Sequence, residues 1–169
     1  MKQTFTSASA SKQIRVYEEE KMHLLQEEKQ VCTFELSSDE EFEAPEYDYE
    51  GVRARVAELD DKVRVLRCAL HAFNVATVLP ESNISIDEAL VLLAQLSNER
   101  FRLSSLRSTL PKQRVSARYQ QGTKVVEYCY ANFDVKKAEA DYQAVSERIR
   151  NLQMEIDYAN QTVQFDVDL

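Results

Sequence analysis

The sequence predicts a mainly α-helical fold, an elongated antiparallel bundle of about four helices with a small two-stranded β ribbon. Charged residues make up 30% of the 169 residues, and the chain has only 2 Gly and 3 Pro, a composition typical of long solvated helices. Apolar residues also recur at steps of three and four along several long segments. The length suffices for one hydrophobic core, so we expect residues 1–169 to form a single helical domain.

Charge and the lack of long apolar runs limit the partners. A net charge of −8 argues against binding to nucleic acid or anionic membranes over the whole surface. No stretch approaches the ~20 apolar residues of a membrane span, and the N-terminus lacks the apolar segment of an export signal. The 3 cysteines form no Cys-x-x-Cys motif. We therefore expect a reduced, cytoplasmic protein with no membrane partner.

The N-terminal segment predicts a flexible arm followed by a helix. Residues 1–9 are small and polar, and Ser9 or Ser11 can cap the helix that follows. A weak apolar stripe then predicts that this first helix extends to about Lys29.

Two short segments predict β-strands, and a third predicts a loop. Val31–Leu36 alternates in a β-favouring composition, and Val125–Ala131 is β-branched and aromatic. Because a lone strand needs a partner, we expect these two to pair as the ribbon, which would allow Cys32 and Cys129 to approach. Residues 37–50 are dense in carboxylates and predict an exposed acidic loop.

The second helix is predicted to begin near Asp48 and to end at Asn74, because Asn tolerates the left-handed conformation that ends many helices. One apolar stripe marks its buried face: Val52, Val56, Leu59, Val63, Leu66, Leu70 and Phe73. We expect this stripe to pack against the last helix.

The third helix is predicted from a capping box, with Ser85 at the cap and Glu88 three residues later, and Pro111 ends it. Arg100 interrupts its apolar stripe. A buried Arg would need a carboxylate partner, whereas an Arg at the edge of the stripe reaches water, and we favour the second interpretation.

Residues 111–123 show no helical period and collect cations, so they predict a basic loop. Mutual docking of the acidic and basic loops would explain both segments, and phosphate contact is the alternative. The possible interaction residues are Arg100, Lys112, Arg114, Arg118 and Lys124.

The last helix is predicted over residues 134–163, where a heptad pattern typical of coiled coils follows Asp134, a fitting N-cap. At about 1.5 Å per residue such a helix is longer than a compact core needs. The pattern therefore indicates an elongated bundle or a homo-oligomer.

Several local motifs are typical of one family. They are Asn74-Val75-Ala76-Thr77, Ile86-Asp87-Glu88-Ala89-Leu90, the basic loop with the strand and Asp134-Val135 after it, and Asn160-Gln161-Thr162. On these residues the chain resembles the septicolysin-like family of small, mostly helical bacterial proteins of largely unknown function. The resemblance implies a helical fold. The family name suggests a lytic toxin, an activity we do not expect because no membrane-active stretch is present.

The sequence offers little catalytic chemistry. Gly51 and Gly122 are the only glycines, so no Gly-rich phosphate loop can be built. His23 and His71 fall on different predicted helices, and a Glu-x-x-His pattern ends only at His23, whereas a di-metal site needs two such helices. We expect no catalytic residue, cofactor or metal.

These patterns predict a non-enzymatic interaction or scaffold protein that self-associates and can take a further protein partner. The alternative is a nucleic-acid-associated factor that acts through residues 112–124.

Overall fold

The computed structural model describes residues 2–35, 45–115 and 126–169. In this part of the chain it has four helices and two two-stranded antiparallel sheets, which confirms the predicted mainly α-helical class. The elements in chain order are β1 (Lys2–Thr6), α1 (Ser7–Val31), α2 (Tyr49–Ala76), α3 (Ile86–Arg107), β2 (Lys112–Arg114), β3 (Tyr128–Tyr130), α4 (Val135–Thr162) and β4 (Gln164–Asp168).

The structure divides into two compact units. Unit 1 comprises Met1–Val78 and Asp157–Leu169, and unit 2 comprises Leu79–Ile156. Unit 1 therefore contains β1, α1, α2 and β4, unit 2 contains α3, β2 and β3, and α4 contributes residues to both. The single domain expected from the sequence, and the packing of α2 on α4, stay predictions.

The two chain ends pair in unit 1. β1 and β4 are antiparallel, with Phe5 opposite Phe165 and Gln3 opposite Val167. Phe5 and Val167 are buried, while the alternate residues Thr4 and Asp166 face water and share a 2.8 Å hydrogen bond. The predicted flexible arm over residues 1–9 is therefore wrong, because Lys2–Thr6 pairs with the C-terminal strand and Ser7 begins α1.

The core of unit 1 lies between this sheet and the helical pair of α1 and α2. Phe5 and Val167 form one buried cluster with Ala10, Ile14 and Leu66. Phe73 stacks on Phe165 with ring centroids 4.8 Å apart.

Ion pairs on the exposed side of α1 and α2 show that the helices are antiparallel. Lys21 reaches Asp60 at 2.6 Å, and Glu18, earlier in α1, meets Arg67, later in α2. Just before α2, the Tyr47 hydroxyl donates a hydrogen bond to the Glu28 carboxylate, and this bond raises the pKa of Tyr47 to about 12. Such exposed ion pairs fix the alignment of the two helices but contribute little to the stability of the fold.

Helix α1 begins and ends differently from its prediction. Thr6 is the N-cap and Ser9 is its capping-box partner, so neither Ser9 nor Ser11 is the cap. At the other end the Cys32 N–H still bonds the Glu28 carbonyl, and residues 32–35 are not in a strand. The predicted strand at Val31–Leu36 is therefore wrong where the structure describes it, because Val31 stays in the helical hydrogen-bond pattern.

Helix α2 starts as predicted and runs further than predicted. The Asp48 side chain accepts from the Gly51 N–H at 2.9 Å and is the N-cap, which confirms that the helix begins near Asp48. The helix continues through Asn74 to Ala76, and the non-glycine residue with a left-handed backbone in the described ranges is Asn83, with φ of 52°. Asn74 thus does not end the helix.

In unit 2, Arg107 at the end of α3 contacts Glu139 near the start of α4, and Leu92 near the start of α3 lines a crevice with Leu152 in the second half of α4, so the two helices are antiparallel. Ser85 and Glu88 form the predicted capping box at the start of α3, and Asp134 accepts from the Lys136 and Lys137 N–H groups, which confirms it as the cap of α4. Helix α3 ends at Arg107, before Pro111. The buried residues of this unit are Leu79, Ile86, Ala89, Leu96, Leu103, Ala138, Ile149, Leu152 and Ile156.

Unit 2 also has a β ribbon, but its strands are not the predicted pair. β3 lies within the predicted strand Val125–Ala131, and its partner is β2, which falls inside the predicted basic loop 111–123. The pairing of Val31–Leu36 with Val125–Ala131 is therefore wrong.

We expect Leu66→Ala to lower the free energy of unfolding by about 2–5 kcal/mol, because Leu66 is fully buried in the unit 1 cluster and its truncation leaves a cavity. Urea denaturation followed by circular dichroism measures the change. Cys68→Ala, at an exposed position of the same helix, is the matched control. Equal stability of the two variants would contradict this core.

We expect Asp166→Asn to destabilise the protein at pH 7 but much less in acid. The Thr4 hydrogen bond and then the Lys2 ammonium hold the pKa of Asp166 below its ordinary value, so its carboxylate stabilises the fold above the unfolded pKa and loses this effect as pH falls below about 4. Thermal melts of both proteins across this range check the prediction. A difference in Tm that is independent of pH would refute it.

Candidate interaction surface

The β ribbon of unit 2 puts cations and aromatic rings on one face. Lys112 is opposite Tyr130 and Arg114 is opposite Tyr128, and directly opposed residues of antiparallel strands share a face. Gln113 and Cys129 lie on the other face. All six strand residues are exposed. We call the four residues Lys112, Arg114, Tyr128 and Tyr130 the ribbon face.

Lys112 contacts both rings of the ribbon face. Its ammonium lies 4.2 Å from the Tyr128 ring centroid and 5.3 Å from that of Tyr130. The two ring centroids are 6.4 Å apart at an angle of 53°. A cation over exposed rings contributes ~0.5–1 kcal/mol, which orders the rings without burying them. The ribbon face therefore presents preordered aromatic surface to a partner.

A second cation and ring connect α3 to α4. The Arg107 guanidinium lies 3.8 Å from the Tyr142 ring centroid, and it also contacts the Glu139 carboxylate at 3.3 Å. A hydrogen bond from Gln143, with the charge of Arg107, lowers the pKa of Glu139. Glu139 thus stays ionised, and Arg107 holds the two helices together rather than remaining available for a ligand.

Arg100 is exposed, as the second interpretation of its position predicted. It lines a shallow crevice of about 340 Å³ with Ser97, Phe101, Ser104 and Tyr142. Phe101 is 83% exposed, the largest value among the exposed apolar side chains of the described residues. This crevice places an arginine beside an uncovered aromatic ring.

A larger crevice of about 540 Å³ lies between the turn before α3 and the unit 2 part of α4. Glu155 at its wall accepts from the Glu81 N–H at 2.6 Å and from the Ser82 hydroxyl at 2.5 Å. Partial burial raises the pKa of Glu155, but these donors outweigh it and the net shift is downward. The Glu155 carboxylate therefore uses the hydrogen-bond donors of the turn, next to the left-handed Asn83, that could otherwise bind an anion. The crevice thus has a structural role.

Not all predicted interaction residues can be placed. Lys112 and Arg114 lie on the ribbon face and Arg100 on α3, whereas Arg118 and Lys124 lie outside the described residues. Much of the acidic loop, residues 37–44, also lies outside them, so its docking on the basic loop stays a prediction.

The cysteines and histidines form no reactive site in the described ranges. Cys32, Cys68 and Cys129 are free and exposed. His23 lies 3.4 Å from Glu27 on the surface of α1. Among residues 2–35, 45–115 and 126–169, no three His, Cys, Asp or Glu side chains come close enough to hold a metal ion. No helix in the same ranges is long and apolar enough to cross a membrane.

The ribbon face was missed as a unit, because only one of its two strands has a signal in the sequence. Lys-Gln-Arg at residues 112–114 is entirely polar, whereas Tyr-Cys-Tyr at residues 128–130 lies within the predicted strand Val125–Ala131. We interpreted the first as loop because it has no helical period and collects cations, whereas its pairing with β3 makes it a strand.

Comparison with known proteins gives a fold and no activity. No family model matches the chain, and no curated protein matches it, so the septicolysin-like resemblance stays a prediction. The chain is similar to the crystal structure of a functionally unknown conserved protein from Corynebacterium diphtheriae, with a TM-score of 0.62 and 17% sequence identity. The match covers 96% of this chain and 99% of the other. At this identity the likeness extends to the fold alone.

Proposed function

We propose that the chain is a non-enzymatic interaction protein that self-associates and uses the ribbon of unit 2 as its contact surface. One observation carries the proposal: the ribbon and its flanks expose six large apolar side chains. They are Leu110, Val115, Val126, Tyr128, Tyr130 and Phe133.

The strand pairing gathers these side chains on both faces of one ribbon, where Tyr128 and Tyr130 share the ribbon face and Val115 points to the other face. Val115 pairs with Glu127 and Pro111 with Ala131, so the apolar residues before and after each strand lie on one short ribbon. Soluble monomers rarely leave large continuous apolar patches in water, because each uncovered Å² costs about 25 cal/mol relative to burial. A partner that covers the ribbon would remove this cost.

The crevice beside Arg100 supports the same function. Arginine and aromatic residues are enriched among the residues that dominate binding energy at protein interfaces. Phe101 stands almost wholly in water next to Arg100, and Leu90 and Val91 are also exposed on α3. These positions suit a further protein partner.

Three finer properties belong to the same proposal. We propose a reduced, cytoplasmic location, which the free cysteines support, and membership of the septicolysin-like family, which the local motifs support. Coiled-coil association through the heptads of α4 would be a second route to oligomers.

Sedimentation equilibrium of the purified chain tests self-association. We expect the average mass to rise from that of the monomer towards that of a dimer as the protein concentration increases. A monomer mass up to about 0.1 mM would overturn the proposal, because any remaining affinity would be weaker than about 5.5 kcal/mol.

A second candidate is a nucleic-acid-associated factor, and the geometry of Lys112 favours it. An ammonium beside two exposed rings matches proteins that stack bases on aromatic residues and neutralise the nearby phosphates.

If this candidate holds, a fluorescent single-stranded oligonucleotide should bind with an affinity that falls steeply with salt. The double variant Lys112→Gln, Arg114→Gln should weaken binding and reduce the salt slope by up to ~2. Lys12→Gln, which removes an exposed cation from α1, is the matched control. Absent binding, or binding that does not depend on salt, would dismiss this candidate.

A further inference from the structure

We propose that β3 pairs antiparallel with β3 of a second copy about a two-fold axis at Cys129, which joins two ribbons into a four-stranded sheet. This inference rests on the proposed self-association and names the surface responsible.

The hydrogen bonds of the ribbon identify its free edge. The Val115 N–H donates to the Glu127 carbonyl at 3.0 Å, and the Ala131 N–H donates to the Pro111 carbonyl at 3.1 Å. In an antiparallel pair the backbone groups of alternate residues point to the partner strand. Glu127, Cys129 and Ala131 therefore face β2, and the N–H and C=O groups of Tyr128 and Tyr130 point to the opposite edge. Within the described chain, β2 is the only strand paired with β3.

The two edges of the ribbon differ in their protection. The strand β2 carries Lys112 and Arg114 and follows Pro111. Natural proteins place such cations and prolines on the edge strands of sheets to prevent pairing with another chain. Strand β3 has the sequence Tyr-Cys-Tyr and no charged residue. Among the strand edges of the described ribbon, the β3 edge is therefore the one open to another strand.

A second copy fits this edge because the edge is complementary to itself. With Cys129 on the axis, Tyr128 lies opposite Tyr130 of the second copy, and Glu127 lies opposite its Ala131. No like charges face each other directly, and the aromatic cross-strand pairs each contribute ~0.2–1 kcal/mol. A two-fold axis repeats every contact, as in most homodimers.

The charges of the ribbon face permit this arrangement. In the four-stranded sheet the two β2 strands lie on the outside, about three strand spacings or ~14 Å apart. This exceeds the screening length of ~8 Å at physiological salt, so Lys112 and Arg114 repel their equivalents little. Both cations remain on the same face as the four tyrosine rings.

The register provides a chemical probe. Cys129 faces its equivalent at a position without direct hydrogen bonds, where the Cα atoms of opposed residues are ~4.5 Å apart. This lies within the range of ~4.4–6.8 Å that a disulfide spans. Copper(II) phenanthroline can accept the two electrons, one per copper ion, while the two thiols lose their protons and form the S–S bond.

The first test uses the variant Cys32→Ser, Cys68→Ser, whose remaining cysteine is Cys129. We expect copper(II) phenanthroline to convert it to a covalent dimer on a non-reducing gel, and the yield to rise with protein concentration as the dimer forms. Cys129→Ser in the otherwise natural sequence should form much less. A dimer that sediments as such but does not cross-link through Cys129 would overturn the edge pairing.

The second test compares proline on the two edges. Tyr128→Pro removes an N–H that points to the open edge, and Arg114→Pro, the matched control, removes one that points to the protected edge, so neither breaks a bond between β2 and β3. We expect Tyr128→Pro to weaken dimerisation at least tenfold and Arg114→Pro to leave it within about twofold, with equal helical circular dichroism. Equal dimerisation of the two variants would overturn the inference and leave self-association standing, whereas a monomeric natural chain would overturn both.

Discussion

The pairing of the two chain ends is the constraint on which unit 1 depends. Phe5 and Val167 come from opposite ends of the chain, yet they complete the buried cluster around Ile14 and Leu66. Without the β1 and β4 sheet, the apolar sides of α1 and α2 that face it would lose their cover. The ion pairs between these helices would not compensate, because they are exposed and contribute little to stability. The stability of the helical pair therefore comes from strands that contain only 5 residues each.

Unit 2 uses its strands in the opposite way. β1 and β4 bury Phe5 and Val167 and half-bury Phe165, whereas every residue of β2 and β3 is exposed. An isolated two-stranded ribbon is at best marginally stable in water. Lys112 orders the Tyr128 and Tyr130 rings from one side, but nothing described covers them. A surface of this kind is maintained at a cost in stability, which is why we assign the interaction function to it.

Sequence reasoning succeeded at two helix caps whose cause is local, although it missed the equally local cap at Thr6. Ser85 with Glu88, and Asp134 with Lys136, are caps whose partners lie two or three residues away, so the residue types alone predict them. It failed where the cause was distant. Thr4 and Asp166 are 162 positions apart, and no local pattern indicates that Lys2–Thr6 has a partner. The predicted interaction residues Lys112 and Arg114 were chosen for their charge, and the two tyrosines that complete their face could be found only from the strand register.

The proposed dimer requires that the outward amide groups of β3 bond to a second copy of the chain. Hydrogen exchange of the Tyr128 and Tyr130 amides, followed as the protein concentration increases, tests it most directly. We expect exchange at these two amides to slow as dimers form, while the Arg114 amide, on the protected edge, exchanges at an unchanged rate. Equally fast exchange of all three amides at every concentration would contradict the claim.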